Sequence, residues 1–335
     1  MAKRAAIGID VGGTKTLFAL FDDDFSVIAE VKIRTQADKG EKVFTDNLTE
    51  SVEVLLDKAA KKNLELVGVG VGCAGSIDHE KGVLKSCHNI PCLKGYAFGQ
   101  RLQKLTGTQV FVANDVQAGL YGEHQLGAAK GARHAIGIFV GTGIGGAMII
   151  DGKLHLGASG HAGDIGNYLL HTIGPLTGSQ REGVLDDVAS RTAIAGDAAT
   201  LAAKQWAPSL LKNAGTDVAK IRSGDLADSI RKGDEAIEEL VRSRAHIIGI
   251  ALSNLVDFVN PDLVLLGGGL VEAMPELMRE EIGKGIENHA APDAFKALKV
   301  VVAKLKDHAV TTGAAKLALD TFTAASPEEE PITSN

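Results

Sequence analysis

Short apolar runs and longer amphipathic stretches alternate along most of the chain, and their order predicts its elements. Residues 5–10 form an apolar run that ends on Asp10, residues 17–21 a second and residues 27–33 a third. Gly12, Gly13, Thr14 and Lys15 turn the backbone between the first two. Runs this short, bounded by turn residues, read as strands. Over 41–62, Val43, Leu48, Val52, Leu55, Leu56 and Ala59 recur at helical spacing. A buried strand over 67–72, a helix over 96–106 and a strand over 110–113 follow; the strand ends at Asn114 and Asp115, and a helix over 116–123 comes next. Strands alternating with helices predict an α/β domain whose helices cover the sheet.

The second half repeats the opening theme. A strand over 134–140, a glycine turn carrying Gly141, Thr142 and Gly143, and a returning strand over 147–150 recur about 130 residues later. Helices are predicted over 187–203 and 234–259, with a break at Trp206, Ala207 and Pro208. The run 264–266 enters Gly267, Gly268 and Gly269, and a helix over 272–287, a strand over 300–303 and a closing helix over 313–321 complete the pattern. The stretch 209–228 is polar and poorly periodic and predicts little.

Composition changes the picture at one point. Glycine accounts for 40 of 335 residues, above the usual share of about 7 %, and it clusters beside apolar runs rather than in linkers. Such loops let backbone N–H groups approach a phosphate. A P-loop or Rossmann motif would need the glycine loop to open a helix, whereas here the first two glycine turns join strands. Either hairpin alone would read as an ordinary tight turn. The pair, with an acid closing the first strand, points to a polyphosphate cradled by backbone donors and the hydroxyls of Thr14 and Thr142. The strand running into Gly267, Gly268 and Gly269 before a helix suits the rest of a nucleotide.

The formal charge of −7 and the 4 % of aromatic residues exclude a nucleic-acid surface as the expected role. Cys73, Cys87 and Cys92 are odd in number and unevenly spaced, which favours a reducing cytoplasm over a disulfide framework. The first ten residues are interrupted by Asp10, and no run of about 20 apolar residues follows, so neither a signal peptide nor a membrane partner is expected. Residues 326–335 read as a loose acidic tail.

Seven segments in order carry a family resemblance: IGIDVGGTKT at 7–16, GVGCAGSID at 70–78, CHNIP at 87–91, VFVANDVQAGLYGE at 110–123, FVGTGIGGAMIIDGKL at 139–154, SGHAGDIGN at 159–167 and NPDLVLLGGGL at 260–270. With them the chain resembles the ROK family of sugar kinases and related repressors, in the actin/hexokinase superfamily. The resemblance implies an α/β, two-lobed actin/hexokinase-like (ribonuclease H-like) fold with mixed sheets flanked by helices. It implies a lobe over 1–118 completed by a C-terminal helix over 309–322, a second lobe over 119–308 and a flexible tail over 323–335. It also implies a cytoplasmic homodimer, which no residue pattern here demonstrates.

The resemblance assigns chemistry as well. Asp115 would be the general base, accepting the proton of the sugar hydroxyl that attacks the γ-phosphate of ATP, with Asn114 beside it on the sugar. Phosphoryl transfer is mostly positioning and charge stabilisation, so one oriented carboxylate, a Mg²⁺ ion and phosphate donors suffice. Asp115 could equally serve as the N-cap of the following helix. Asp10 would hold Mg²⁺ through water. Gly12, Gly13, Thr14, Lys15, Gly141, Thr142, Gly143 and the three glycines at 267–269 would bind ATP. Gly75, Ser76, Asn89, Asp164, Asn167 and Asp186 would join Asn114 around the sugar.

Departures from the family are informative. Where relatives commonly read Glu-Ile-Gly-His, this chain reads Asp164, Ile165, Gly166, Asn167. The family's zinc-binding His and three Cys fall on Asn167, Thr177, Ser179 and Val184, none of which suits Zn²⁺, so no zinc site is expected. Two family glutamates become Asp164 and Asp186, each one methylene shorter. That geometry predicts a pocket rebuilt for another sugar, or drift with loss of activity. His161 is either a replacement contact or an ordinary loop residue. Three functions follow from these residues: a hexose or N-acetylhexosamine kinase using ATP or polyphosphate, a sugar-responsive repressor, or a catalytically silent sugar- or nucleotide-binding protein. Only six residues precede Ile7, which disfavours a helix-turn-helix module and so the repressor.

Overall fold

The computed structural model describes residues 3–87, 89–170 and 183–323. Among them, residues up to 126, with 157–160 and those from 307 onward, form one compact unit; 127–156 and the described residues of 161–306 form another.

The first unit is built on a five-stranded sheet of order β3-β2-β1-β4-β7. Its strands are β1 (Lys3–Val11), β2 (Lys15–Asp22), β3 (Val27–Arg34), β4 (Leu64–Cys73) and β7 (Val110–Asn114). A small hairpin, β5 (Ser76–Asp78) and β6 (Val83–Ser86), stands apart from it. β1 runs antiparallel to β2 and parallel to β4, and β4 runs parallel to β7. Central strands covered on both faces read as continuous apolar runs, and in β1 every residue from Ala5 to Ile9 is buried. β3, at the edge, keeps an alternating, largely exposed pattern.

One face of this sheet packs on α1 (Glu41–Lys61) through Phe44, Leu48, Val52, Leu55 and Ala59, spaced three or four apart as a helix stripe requires. The opposite face explains the alternation of Val67 to Gly72. Val69 and Val71 join the α1 core, while glycines fill the positions between them. A Cβ at Gly70 would lie 1.8 Å from the Ala314 carbonyl oxygen, and one at Gly8 would lie 1.9 Å from that of Thr311. The backbone of the closing helix, Ala309–Thr323, therefore rests directly on the sheet. Gly313 likewise meets the carbonyl of Ala118 on α3 (Asp115–Leu126). The closing helix begins at Ala309, as the resemblance implied, and four residues before the start read from apolar spacing, because Thr311 and Thr312 interrupt the apolar period in its first turn. A second short helix of this unit, α2, spans Phe98–Thr106.

The second unit carries a sheet of order β10-β9-β8-β11-β12, with β8 (Ala135–Val140), β9 (Ile144–Ile150), β10 (Lys153–His155), β11 (Leu263–Gly267) and β12 (Lys299–Val302). β8, β11 and β12 are parallel; β9 is antiparallel to β8. Its helices are α4 (Leu185–Ala189), α5 (Arg191–Ala203), α6 (Pro208–Ala214), α7 (Ser223–Arg231), α8 (Glu235–Val259), α9 (Gly269–Ala273), α10 (Pro275–His289) and α11 (Pro292–Ala297).

Two single helices expected from the sequence are each two in the structure. Ser190 breaks 187–203 and caps α5 by accepting from the Ala193 N–H. Pro275 opens α10 and so divides 272–287. The unpredicted stretch 209–228 holds α6 and the start of α7, and a distant acid holds the start of α6. The buried Asp234 carboxylate accepts from the N–H groups of Ser209 (3.2 Å) and Leu210 (2.9 Å) and from the Ser229 hydroxyl (2.6 Å). Among the described residues, no helix is long and apolar enough to cross a membrane.

Candidate functional site

In the first unit, β1, β4 and β7 end side by side. Val11 pairs with Cys73 and Cys73 with Asn114, while Asp10, Gly72 and Ala113 share the preceding row. The carboxyl ends of parallel strands are where α/β sheets bind ligands. Asp10 thus emerges on the face where Gly72 has no side chain, and a Cβ at Gly72 would lie only 3.5 Å from the Asp115 Cα. Asn114 and not Asp115 caps α3: its Oδ1 accepts from the N–H groups of Val116 (2.9 Å) and Gln117 (3.4 Å). Its amide nitrogen donates to the Gly75 carbonyl (3.1 Å), which draws two of the expected sugar residues together. Asp115 is the first helical residue.

The electrostatics of this corner are unusual. Burial first, and then the charge of Asp115, raise the Asp10 carboxyl from its ordinary 3.8 to about 7; Lys15 pulls the other way and Asp307 adds to the rise. Burial also raises Asp115, although hydrogen bonds from the Val116 N–H, its own N–H and the Asn114 side chain draw it partly back. Burial again, with the charges of Asp115, Cys87 and Asp10, pushes the Cys73 thiol far up and leaves it unreactive as a nucleophile. Two half-buried carboxylates that repel each other fit a divalent cation. Among the described residues, no group of three His, Cys, Asp or Glu side chains gathers. The donor set therefore suits Mg²⁺, which takes one or two carboxylates and completes its shell with water and phosphate oxygens.

The turn at 12–15 sits beside this corner. The Thr35 hydroxyl donates to the Gly12 carbonyl (2.6 Å) and lies 3.0 Å from the Thr16 hydroxyl. The Thr35 N–H donates to the Thr14 carbonyl (3.0 Å). Gly13 lies against Asn89, whose Cβ would be 3.0 Å from a Cβ there. The Lys15 ammonium donates to Asp307 (2.9 Å), which Lys32 also reaches (3.3 Å). Thr14 is exposed. Ser76 lies within the β5–β6 pair, opposite Ser86.

In the second unit the 141–143 turn joins β8 to β9 and the 267–269 glycines close β11. Gly267 is paired with Phe139, and Gly268 has φ 88°. A Cβ on Gly268 would lie 2.6 Å from the Val140 N, so the two glycine clusters occupy one edge of the sheet. All three carbonyls of the turn are taken: Gly141 O by the Arg191 N–H (3.0 Å), Thr142 O by the Thr192 hydroxyl (2.7 Å) and Gly143 O by the Gly141 N–H (2.8 Å).

Asp186 braces the same turn, its carboxylate accepting from the Ile144 N–H and lying 2.8 Å from where a Gly143 Cβ would stand. Burial holds Asp186 above the usual carboxylate range, the Ile144 N–H pulling it back and Asp187 and Asp164 adding to the rise. Asp164 in turn accepts from the Asn167 amide (2.6 Å), and the segment bearing both is pressed onto β9: Cβ atoms at Gly146 and Gly166 would fall 2.2 Å and 2.0 Å from carbonyl oxygens. His161 is exposed, and its carbonyl accepts from the Asp164 N–H.

Of the four positions aligned with the family's zinc ligands, Asn167 is tied to Asp164, and Val184 is buried and paired with Leu169. Thr177 and Ser179 lie outside the described residues, as do His88 of the 87–91 segment and the tail beyond 323. Sequence reasoning missed Thr35, Asp307 and Arg191. No local pattern marks the first two, which reach the turn at 12–15 from distant parts of the chain. Arg191, directly after a Ser cap, has the pattern of an ordinary first-turn residue.

Both compact mixed α/β units thus carry glycine turns at the ends of parallel strands, and the first adds a pair of half-buried carboxylates. The family is shown by sequence: the ROK family model matches residues 6–321, and the chain belongs to the ROK family. The glucokinase of Thermotoga maritima is 29 % identical over 318 residues, which is 95 % of this chain and 98 % of that protein. A xylose repressor of Caldicellulosiruptor bescii is 26 % identical over 92 % of this chain and 76 % of its own length. The crystal structure of a ROK family glucokinase from Streptomyces griseus in complex with glucose and AMPPNP superposes with a TM-score of 0.78, at 27 % identity, covering 94 % of this chain and 99 % of that one.

Proposed function

We propose that this protein phosphorylates a hexose or N-acetylhexosamine with ATP. The observation that carries the reading is Asp115, a half-buried carboxylate at the head of α3 that leaves the capping role to Asn114. Similarity to glucokinases over nearly the whole length of both chains supports it. In this reading Asp115 takes the proton of the attacking sugar hydroxyl, the hydroxyl oxygen bonds to the γ-phosphorus, and the bond to the ADP oxygen breaks. A carboxyl held above its usual pKa is the stronger base for that step. Asp10 would hold Mg²⁺ through water, and the ion would offset charge on the phosphates. The turn at 12–15, the turn at 141–143 and the 267–269 glycines would bind the nucleotide.

For the sugar, Asn114, Gly75, Ser76, Asn89, Asp164, Asn167 and Asp186 are the proposed contacts. One observation favours a second reading, a weak or silent sugar-binding protein: Asp186 already serves the Ile144 N–H and Asp164 the Asn167 amide. An ADP-release assay across hexoses and N-acetylhexosamines, with ATP and with polyphosphate as donors, decides between them. Turnover on one sugar supports the kinase. Sugar or nucleotide binding with no product from either donor would support the silent protein instead.

A further inference from the structure

Arg191 is 9 % exposed, and among the described residues its guanidinium meets neutral acceptors: Nη1 donates to the Ile221 carbonyl (2.9 Å) and Nη2 to the Thr142 hydroxyl oxygen (3.2 Å). Buried arginines are normally paired with an acid. Among the described residues no carboxylate pairs with this one, and the nearest charge that acts on it is a second cation, Arg222. Among the described residues the side chain is thus a fixed positive charge without an acidic partner, beside a glycine turn.

What it does to Thr142 is specific. A hydroxyl has one proton and two acceptor lone pairs. With its oxygen held as an acceptor by Arg191, the exposed Thr142 hydroxyl keeps its proton for a partner outside the turn. The three carbonyls of the turn are meanwhile engaged by Arg191, Thr192 and Gly141. An approaching anion thus meets a donor backed by a guanidinium and no free carbonyl.

We propose that Arg191 is a positioning residue for a phosphate chain, acting through Thr142: it fixes that hydroxyl as a donor to a phosphate oxygen and supplies the charge behind it. The identity of the ligand as the polyphosphate part of a nucleotide rests on the kinase reading above; the anion chemistry does not.

Titration calorimetry with ADP and with inorganic tripolyphosphate tests the proposal on the whole protein and needs no turnover. Arg191→Met and Thr142→Val should each weaken both ligands by about 10–100-fold, the worth of a hydrogen bond to a charged group. Thr142→Ser should bind within a few-fold of the parent, and Arg191→Lys should fall between parent and Arg191→Met. The double variant Arg191→Met with Thr142→Val should be no worse than the weaker single, because residues acting as a unit are not additive. Sugar affinity should not move in any of them. Should Arg191→Met fail to fold, the contrast of Thr142→Val with Thr142→Ser, together with Arg191→Lys, decides alone. Parent-like binding by Thr142→Val, or additive losses in the double variant, overturns the proposal. Loss of anion binding in a protein that phosphorylates no sugar would uphold it while sinking the kinase reading; intact anion binding in an active Arg191→Met kinase would do the reverse.

Discussion

The two glycine turns share a sequence theme and differ in charge. The turn at 12–15 is held from inside by a neutral brace, the Thr35 hydroxyl, and is flanked by the acids Asp10 and Asp307 with Lys15 between them. The turn at 141–143 is held by a buried cation on one side and a single carboxylate, Asp186, on the other. An acidic surround receives a phosphate only through a bridging cation, whereas a guanidinium and a free hydroxyl proton receive it directly. The two turns also differ in backbone hydrogen bonding: the Gly12 N–H donates to the Lys15 carbonyl, and the Gly141 N–H to that of Gly143.

The largest expected effect lies at the acidic turn. Asp115→Asn should lower turnover on the best sugar by about 10²–10⁴-fold, the usual cost of losing a general base, while ADP binding measured by calorimetry stays near the parent value. A variant with parent-like kcat removes Asp115 from the reaction. At the other turn, Asp186→Glu pushes an extra methylene against Gly143, and misplacement on the order of 1 Å costs up to about 10²-fold in rate. Adding Asp164→Glu and Asn167→His completes the family pattern. If the triple variant matches the parent on every sugar, the short acids have no bearing on specificity.

The third expectation follows from the sign of the Asp10 shift. Its carboxyl sits at about 7 in the fold against an ordinary 3.8, so the folded, ligand-free protein holds a proton there that the unfolded chain releases. That favourable contribution is complete below pH 4 and is lost as pH rises through 7. Asp10→Asn should therefore melt higher than the parent at pH 8, by at most roughly 4 kcal/mol of stability, and the gap should close toward pH 4. A gap independent of pH would mean that the carboxyl titrates normally. The smallest effect tests the braces. Thr35→Val removes a buried hydroxyl and leaves the half-buried Gly12 carbonyl without it, which should cost about 1–3 kcal/mol in denaturant unfolding; Thr192→Val, at an exposed position, should cost less.

Much of this was legible beforehand because it rests on local signals. Continuous apolar runs mark β1 and β8, and paired Gly-Thr turns mark both hairpins. Other features were not, because they depend on partners far along the chain. The glycines of β4 read as part of a buried strand, but the helix they accommodate begins at Ala309. Asn114 and Asp115 are both good caps by type, and only the direction of the Oδ1 atom separates their roles. In 209–228, Asp217 and Asp225 hold local N–H groups, while the start of α6 is held by Asp234, an acid that a polar stretch gives no reason to single out. Arg191 matters through a carbonyl 30 residues away at Ile221.

The seat of the closing helix on the first sheet has a consequence for biosynthesis. Gly8 is made about 300 residues before its partner Thr311. At about 5–20 residues per second, the nascent sheet waits on the order of tens of seconds for that helix, with only α3 on the face it will cover. α1 covers the other face long before then. Until the helix arrives, that glycine-bearing face is open to other chains and to chaperones, and closing it brings together contacts of very large sequence separation, the kind that folds slowly. The corner that carries Asp10 and Asp115 is therefore complete only after that late helix has been made.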